Sequence, residues 1–236
     1  MKLTLAENGQ SGAWLFPTPD GVESITDFVA TWSMRVGGGT AVPADGFGFA
    51  LGSDIPDGTF GQEGVGMGIS VGFDTYNNGG GEAPAIDVRY KGDTIGTRKV
   101  DISVLETGDA FVTIGVRVSA AGLLDLYYGK VAIFRGMQLP KYTPFAAGRF
   151  GFGAQTGGLN DNHWVDNVRI AVNSQPATST LSVKSNGNGT VTVTWTGAGT
   201  LQMATAIGGS WADLPTATTP YTTSSTPAAK FFRVKQ

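Results

Sequence analysis

Val71-Gly-Phe-Asp-Thr-Tyr-Asn-Asn78 has the pattern of a β-strand that runs directly into a loop rich in oxygen ligands. Alternate residues of an extended segment point to the same side, so Asp74, Tyr76 and Asn78 are expected to converge. A carboxylate, a main-chain carbonyl and a side-chain amide oxygen suit a hard cation such as Ca²⁺. The stretch therefore predicts a calcium site at the end of a strand, with hydrogen-bonding groups for a polyhydroxylated ligand beside it.

The composition indicates a folded chain built of β-strands. With 236 residues, the chain is long enough for one large all-β domain, with or without a small second one. Its 36 glycines and the scarcity of helical patterns indicate many turns. A hydrophobic content of 41% is typical of a folded protein.

Charge and missing residue types exclude several functions. A net charge of −3 with dispersed Lys and Arg argues against a nucleic-acid partner, because phosphate binding needs a concentrated basic surface. No apolar run approaches the roughly 18 residues of a membrane span, so no membrane insertion is expected. The absence of Cys excludes disulfides, thiolate metal sites and cysteine nucleophiles. The first eight residues lack the apolar core of a signal peptide, and none is expected in this chain.

Alternation of apolar and small or polar residues predicts most of the strands. In the segment 46–52 the alternation places Phe47, Phe49 and Leu51 on one face, with glycines between them that indicate close approach of another backbone. Many strands with turns at regular spacing are typical of a sandwich or jelly roll. The predicted strands of the first part are 25–36, 46–52, 66–73, 85–90, 110–118, 123–128, 149–154 and 164–172.

The composition changes after residue 172. Residues 173–179 are polar, include Pro176 and show no periodicity, so they are predicted to be a linker. Residues 180–236 are rich in Thr, Ser and Ala, and short strands are expected at 180–184, 189–195, 200–205 and 230–234. A small β-sandwich of fibronectin or immunoglobulin kind is therefore predicted after a first domain at residues 1–172.

Three motifs in order resemble one family. They are Pro43-Ala-Asp-Gly-Phe-Gly-Phe49, Phe73-Asp-Thr-Tyr-Asn-Asn78 and Gly151-Phe-Gly-Ala-Gln-Thr-Gly157. Together they resemble the L-type (legume-lectin-like) concanavalin A-like lectin domain, of the kind found in bacterial exoproteins. The resemblance covers residues 1–172 and implies an all-β, concanavalin A-like jelly-roll sandwich.

The resemblance also implies the residues of a site. In the family, an Asp that often follows a cis peptide accepts hydrogen bonds from sugar hydroxyls, and the Asn of the metal loop donates one. An aromatic ring covers the sugar, and backbone amides after the late Thr-Gly complete the site. The implied carbohydrate-binding residues are Asp45, Tyr76, Asn78, Gly158 and Leu159. The implied Ca²⁺ ligands are Asp74, the Tyr76 carbonyl, Asn78 and Glu82.

The chain departs from the family pattern at a second metal position. The family's transition-metal site uses a Glu two residues before the motif Asp and a His ahead of the next strand. Gly72 and Ala83 stand at these places. The resemblance therefore implies a single Ca²⁺ site and no transition metal.

Each of these residues also has a structural interpretation. Asp45 could cap a turn through its side chain, as Asp often does before Gly. Asp74 and Asn78 could form an Asx-turn network that stabilises a glycine-rich loop without metal, and Glu82 could be a solvated loop acid. His163 is the one histidine, so a structural hydrogen bond near Trp164 is expected in place of a zinc site.

The resemblance and the residues together predict a non-catalytic, carbohydrate-binding module of a bacterial secreted or surface protein, tethered within a larger exoprotein. A retaining glycosidase needs two carboxylates about 5–5.5 Å apart. The Glu-x-Asp-x-x-Glu strand motif that supplies them in laminarinase-type members of the fold is absent. Two alternatives remain at this point. One is a structural or adhesive β-domain without sugar binding, and the other is a polysaccharide-degrading enzyme of the same fold.

Overall fold

The computed structural model describes residues 1–175, 180–197, 199–206, 208–226 and 229–235, which form almost entirely β structure. The chain divides into two compact units, residues 1–175 and 176–236. Within the described ranges, no helix is both long and apolar enough to cross a membrane. The elements of the first unit are β1 (Lys2–Thr4), β2 (Ser11–Pro17), β3 (Ser24–Gly37), β4 (Gly46–Gly52), β5 (Ile69–Asp74), β6 (Ala85–Tyr90), β7 (Asp93–Lys99), α1 (Ile102–Leu105), β8 (Val112–Val118), β9 (Leu123–Tyr128), β10 (Val131–Gln138), β11 (Phe145–Ala146), β12 (Arg149–Gln155) and β13 (Asn162–Gln175).

The first unit consists of two antiparallel sheets. One sheet has the strand order β1-β13-β3-β8-β9-β10, with β11 paired to β3. The other has the order β2-β12-β4-β5-β6-β7. Side chains from both sheets fill one continuous hydrophobic core. The predicted sandwich is therefore present.

The core is built around aromatic rings that alternate with glycines. Phe47 and Phe49 of β4, and Phe150 and Phe152 of β12, are at most 1% exposed, which confirms them as core residues. Trp32 of the opposite sheet packs against Phe49 and Phe152 at centroid distances of 5.0 and 5.2 Å. Burying each of these rings contributes about 1.5–3 kcal/mol, so the Phe-Gly-Phe pattern is a main determinant of the sandwich.

The glycines of the same pattern let a loop lie flat on the other face of the sheet. A Cβ at Gly48, Gly72 or Gly153 would lie only 2.7, 2.4 and 2.4 Å from carbonyl oxygens of the segment 60–62. Cβ atoms do not approach a carbonyl oxygen that closely, so a residue with a side chain would force this segment off the sheet. The predicted close approach of another backbone is confirmed.

One row of paired residues crosses five strands of this sheet. Gln155 of β12 is paired with Gly46 of β4, Gly46 with Asp74 of β5, Asp74 with Ala85 of β6, and Ala85 with Lys99 of β7. Because neighbouring antiparallel strands place paired residues side by side, the loops next to this row all emerge at the same edge of the sandwich.

The second unit contains two three-stranded sheets, β14-β15-β18 and β17-β16-β19. Val193 and Trp195 of one sheet and Leu201 of the other are buried in a shared core. The strands are β14 (Leu181–Ser185), β15 (Thr190–Trp195), β16 (Thr200–Ala204), β17 (Ala212–Asp213), β18 (Tyr221–Ser224) and β19 (Phe231–Lys235).

The predicted linker begins too early. Residues 173–175 are the end of β13, where Asn173 is paired with Asp27 of β3 and its amide donates to the Asp27 carboxylate at 2.6 Å. Polar residues continue a strand wherever a partner strand supplies backbone hydrogen bonds and the side chains are exposed, so polarity alone did not mark the boundary. The first unit therefore ends at residue 175 and not at 172, and the predicted linker residues 176–179 lie outside the described residues.

The close contact at Gly153 gives a stability prediction. Gly153→Ala would push a methyl group against Phe60, and this kind of overpacking lowers the free energy of unfolding by about 1–3 kcal/mol. Gly115→Ala in β8 is the control, because its nearest new neighbour is a Tyr127 carbon at 3.9 Å and its φ is not positive. Urea unfolding of both variants checks this; equal stabilities would contradict the packing account.

Candidate functional site

Asp45 lies at the edge marked by the Gln155–Gly46–Asp74 row. Its backbone N–H donates to the Gln155 carbonyl at 2.9 Å, and its carbonyl accepts from the Thr75 N–H and hydroxyl, both at 3.0 Å. The Ala44–Asp45 peptide bond is cis. The carboxylate makes no hydrogen bond to any residue that the structure describes, so the turn-capping interpretation has no support there. Partial burial raises the pKa of Asp45.

Asp74 ends β5 and is almost completely buried, at 3% exposure. Desolvation is the main cause that raises its pKa to about 6, and the charges of Asp87, Glu82 and Asp45 add to the shift. A hydrogen bond from the Tyr76 N–H to Oδ1, 3.2 Å long, acts in the opposite direction. A buried carboxylate among three other acids is unfavourable unless a cation neutralises it.

The loop after Asp74 brings the other predicted ligands together. The Glu82 carboxylate accepts a hydrogen bond from the Asn78 N–H through Oε1, while its Oε2 is buried with no partner among the described residues. The Asn78 amide nitrogen lies 3.4 Å from the Tyr76 carbonyl oxygen. A 180° rotation of the Asn78 amide exchanges its nitrogen and oxygen positions with almost no change in shape. The Asn78 side-chain oxygen and the Tyr76 carbonyl oxygen would then both point to one cation.

The loop also contains the predicted Asx-turn network, to which Asp74 and Asn77 both contribute. Oδ1 of Asp74 accepts from the Tyr76 N–H, two residues on, and Oδ1 of Asn77 accepts from the N–H groups of Gly79 and Gly81 at 2.9 and 3.2 Å. Oδ2 of Asp74 and Oδ1 of Asn78 accept no hydrogen bond from the described residues, so these two oxygens are available to a cation.

Sequence reasoning missed Lys99, which supports the same loop from β7. Its ammonium donates hydrogen bonds to the carbonyl oxygens of Gly81 and Glu82. No local pattern indicates this contact, because it depends on the pairing of Lys99 with Ala85 across the sheet. The position of Gly72, where the family has an acidic metal ligand, has no room for a side chain, since a Cβ would meet the Gln62 carbonyl at 2.4 Å.

The loop that follows β12 faces Asp45. A Cβ on Gly157 would lie 3.5 Å from both carboxylate oxygens of Asp45, so the glycine leaves that space open. Gly158 is exposed, with no heavy atom within 4 Å of its Cβ position. Within the described part of the chain, the N–H groups of Gly158 and Leu159 have no hydrogen-bond acceptor. An unpartnered carboxylate thus lies beside a loop that carries two free amide donors.

Sequence reasoning also missed two residues near the N-terminus, Asn8 and Gly9, which hydrogen-bond to the loop 157–160. Asn8 donates to the Gly158 carbonyl at 3.0 Å and accepts from the Asn160 amide at 2.6 Å, while Gly9 donates to the Gly157 carbonyl at 3.0 Å. These contacts join residues about 150 positions apart in the chain, so only the assembled fold reveals them.

His163 is a structural residue, as the sequence predicts. Its side chain is fully buried, and Nδ1 lies 2.7 Å from the Thr4 hydroxyl. Burial lowers the pKa of His163 to about 3, so the ring stays neutral at ordinary pH.

The donor set fits Ca²⁺ better than a transition metal. In the residues described, no three Asp, Glu or His side chains converge on one point as the ligands of a transition metal do. A cation here would instead combine the two carboxylates of Asp74 and Glu82 with the Tyr76 carbonyl and the Asn78 side-chain oxygen, all of them hard oxygen donors. The buried, unpartnered Glu82 oxygen and the crowded Asp74 carboxylate are the observations that favour such a cation.

Solved structures similar to this chain are lectin domains. The exoplasmic/lumenal domain of VIP36, in its Ca²⁺/Man3GlcNAc-bound form, shares 21% identity with a TM-score of 0.55, over 75% of this chain and 83% of that one. The carbohydrate recognition domain of Emp47p shares 16% identity with a TM-score of 0.56, over 74% and 82%. Metal-free lectin I-B4 of Griffonia simplicifolia shares 20% identity with a TM-score of 0.55, over 71% and 82%.

These similarities establish the fold. The chain contains a jelly-roll sandwich of the legume-lectin type, which confirms the predicted fold class. No protein-family model and no curated protein sequence matches the chain. At 16–21% identity the structural likeness says nothing by itself about the activity, which has to be argued from the site.

The environment of Asp74 predicts opposite effects of one substitution with and without metal. Asp74→Asn removes a buried charge from a cluster of acids, so the metal-free melting temperature should rise by at least about 2 °C, the shift that roughly 1 kcal/mol produces in a domain of this size. The same variant should lose any stabilisation by Ca²⁺. Asp20→Asn, at an exposed position, is the control.

Thermal melts in Ca²⁺ and in EDTA measure both effects. If Asp74→Asn lowers the melting temperature in EDTA, the carboxylate is a structural group and the metal assignment is wrong.

Proposed function

We propose that this protein is a non-catalytic, carbohydrate-binding, lectin-like module whose sugar site lies beside a single Ca²⁺ site. The observation that carries the proposal is the Asp45 carboxylate, which is fixed through its backbone yet has no hydrogen-bond partner in the described chain and lies beside Gly157, the residue before the free amides of Gly158 and Leu159. Buried or half-buried polar groups are normally paired, so a group left free here is available to a ligand.

The chemistry of the site matches vicinal hydroxyl groups. Two neighbouring sugar hydroxyls would donate to the Asp45 carboxylate and accept from the Gly158 and Leu159 N–H groups. The half-buried Tyr76 ring offers an apolar surface, and the Asn78 amide supplies a further donor. Backbone hydrogen bonds fix Asp45 and the loop 157–160 independently of any ligand. Little conformational entropy of these groups would therefore be lost when a sugar binds.

Ca²⁺ would act on the loop 75–84 and not on the sugar itself. Held by Asp74, the Tyr76 carbonyl, Asn78 and Glu82, it would neutralise the buried carboxylates and fix the positions of Tyr76 and Asn78. Binding of such an ion also stabilises the folded state, by an amount that grows with the logarithm of the ion concentration relative to the dissociation constant. VIP36, a protein of the same fold, has been solved with Ca²⁺ and mannose-containing ligands, which supports this combination.

The wider context is also a proposal. We place the protein among secreted or cell-surface proteins of bacteria, as one module of a larger exoprotein, with residues 180–236 forming a fibronectin- or immunoglobulin-like domain after a linker at 176–179. Two three-stranded sheets around Trp195 fit such a domain. Single lectin sites bind weakly, so tethering several modules to one surface would raise the effective affinity.

The two alternatives make different use of the same residues. A structural or adhesive domain without sugar binding gives no reason for the free carboxylate of Asp45. A glycosidase needs a second catalytic carboxylate at short range, and Asp74, whose charge interacts with that of Asp45, belongs to the proposed metal site. The lectin function therefore accounts for more of the site.

Asp45→Asn tests the proposal. The variant removes the negative acceptor, so glycan affinity should fall at least about tenfold, the effect of losing a charged hydrogen bond of roughly 1.5–3 kcal/mol. Its stability should be unchanged, because the carboxylate stabilises nothing in the described residues. Asp93→Asn, exposed on β7, is the matched control.

A glycan array in Ca²⁺ and in EDTA identifies the ligand, and titration calorimetry with that glycan compares the variants. A folded, Ca²⁺-loaded protein that binds no glycan on the array would favour the structural domain. Release of reducing sugar or of an unsaturated product from polysaccharides would favour the enzyme.

A further inference from the structure

Two carboxyl groups, one fully buried and one half-buried, lie under the loops of the proposed site. Asp161, just before β13, is fully buried, and its Oδ1 accepts from the N–H groups of Gly39 and Asn162 at 3.1 and 2.8 Å. Glu106, which follows α1, accepts from the Gly38 N–H through Oε1 at 3.4 Å. The other oxygen of each carboxyl, Oδ2 and Oε2, is buried without a partner among the residues described.

The two unpartnered oxygens are best explained as partners of each other. The side chains of Asp161 and Glu106 are within hydrogen-bonding reach, and a proton on one carboxyl would be donated to the other. Burial and the adjacent Glu106 charge raise the pKa of Asp161 to about 7. A single proton on Asp161 would therefore satisfy both oxygens.

This pair joins two loops that border the proposed sugar site. Thr40 donates to the Asn160 carbonyl through both its N–H and its hydroxyl at 3.0 Å, and the hydroxyl accepts from the Asn160 N–H at 3.0 Å. Gly39 packs so closely that a Cβ there would lie 2.2 Å from the Asn160 carbonyl oxygen. The segment 37–40 leads to Asp45, and the segment 157–160 contains the free amides.

We propose that one proton shared between Asp161 and Glu106 positions the segment 157–160 against Asp45, so that glycan binding weakens as this proton is lost above neutral pH. The inference rests on the proposed function and adds Asp161 and Glu106 to it as positioning residues. Without the shared proton, two negative charges would be buried side by side under the Gly38 and Gly39 amides, and the loops would separate to admit water.

Other charged groups near the pair do not change with it. The Arg35 guanidinium donates to the Asp109 carboxylate at 2.6 Å and to the Gly108 carbonyl at 2.8 Å. The ring of Trp164 lies 4.1 Å from the Arg35 guanidinium. His163, two residues after Asp161, is neutral through the whole range because of its lowered pKa. The expected loss of glycan binding at alkaline pH is therefore assigned to the carboxyl pair.

The direction in which pH changes the stability follows from the raised pKa of Asp161. An Asp whose pKa is raised on folding keeps a proton that the unfolded chain has released. Its stabilising effect is complete below the unfolded value of about 3.9 and is lost as the pH rises through the folded value. Protonation of the calcium ligand Asp74 at acid pH would weaken Ca²⁺ binding, which is a separate effect of pH on the site.

Asp161→Asn and Glu106→Gln test the pair, because each amide imitates the protonated carboxyl and can donate to its partner. In the parent protein, saturated with Ca²⁺, glycan affinity should fall between about pH 6.5 and 8.5, by at most about tenfold per pH unit for one proton. Either variant should make affinity nearly constant over this range. Asp166→Asn, an exposed acid on β13, should leave the parent's profile unchanged.

Two measurements without glycan separate this inference from the proposed function. The melting temperature of the parent should fall between about pH 4 and 7, where the folded protein keeps a proton that the unfolded chain has lost, and it should fall less in Asp161→Asn. Carbon NMR of the parent should show a buried Asp carboxyl that titrates near neutral pH and is missing in Asp161→Asn. Absence of that titration, or identical pH profiles in the parent and Asp161→Asn, would overturn the shared proton. Removal of the alkaline loss by added divalent cation would do the same, in favour of a bound ion.

Discussion

The register of five antiparallel strands is the constraint on which the site depends. The row Gln155, Gly46, Asp74, Ala85 and Lys99 brings together positions that are far apart in sequence. Asp45 precedes one member of the row, the free amides follow another, and the metal loop connects two more. A slip of one residue in any of these pairs would turn the strand over and move its loop out of the site. The fold therefore positions the site through backbone hydrogen bonds before any side chain contributes.

Charge around this row is arranged for a ligand and not for stability. Asp45, Asp74, Glu82 and Asp87 all contribute to the local negative field, and Lys99, the cation in contact with the metal loop, donates to backbone carbonyls. Buried like charges destabilise a fold, and natural proteins keep them where a bound ion or substrate compensates. The raised pKa of Asp74 follows from that conflict, and a bound Ca²⁺ would resolve it.

The sequence predicts central strands and local motifs well, and edge strands and long-range contacts poorly. The boundaries of 46–52 and 85–90 are correct because strands paired on both sides must bury alternate residues. The strand at 93–99 was missed, since an edge strand is largely exposed and its polar residues show no such pattern. In the site, the resemblance supplies the motif residues, whereas Asn8 and Lys99 act through tertiary contacts that no local pattern encodes.

Different residues determine the fold and the site, and this separation explains why the fold alone does not establish the function. Aromatic rings and glycines build the sandwich, and they would do so with any loops at its edge. Buried carboxyl oxygens lie in loops around the proposed site: Oε2 of Glu82 has no partner in the described residues, and those of Asp161 and Glu106 have only each other. A protein selected only for stability would replace such groups by amides or apolar residues. Their concentration at one edge of the sandwich is therefore the strongest physical argument that this edge binds something.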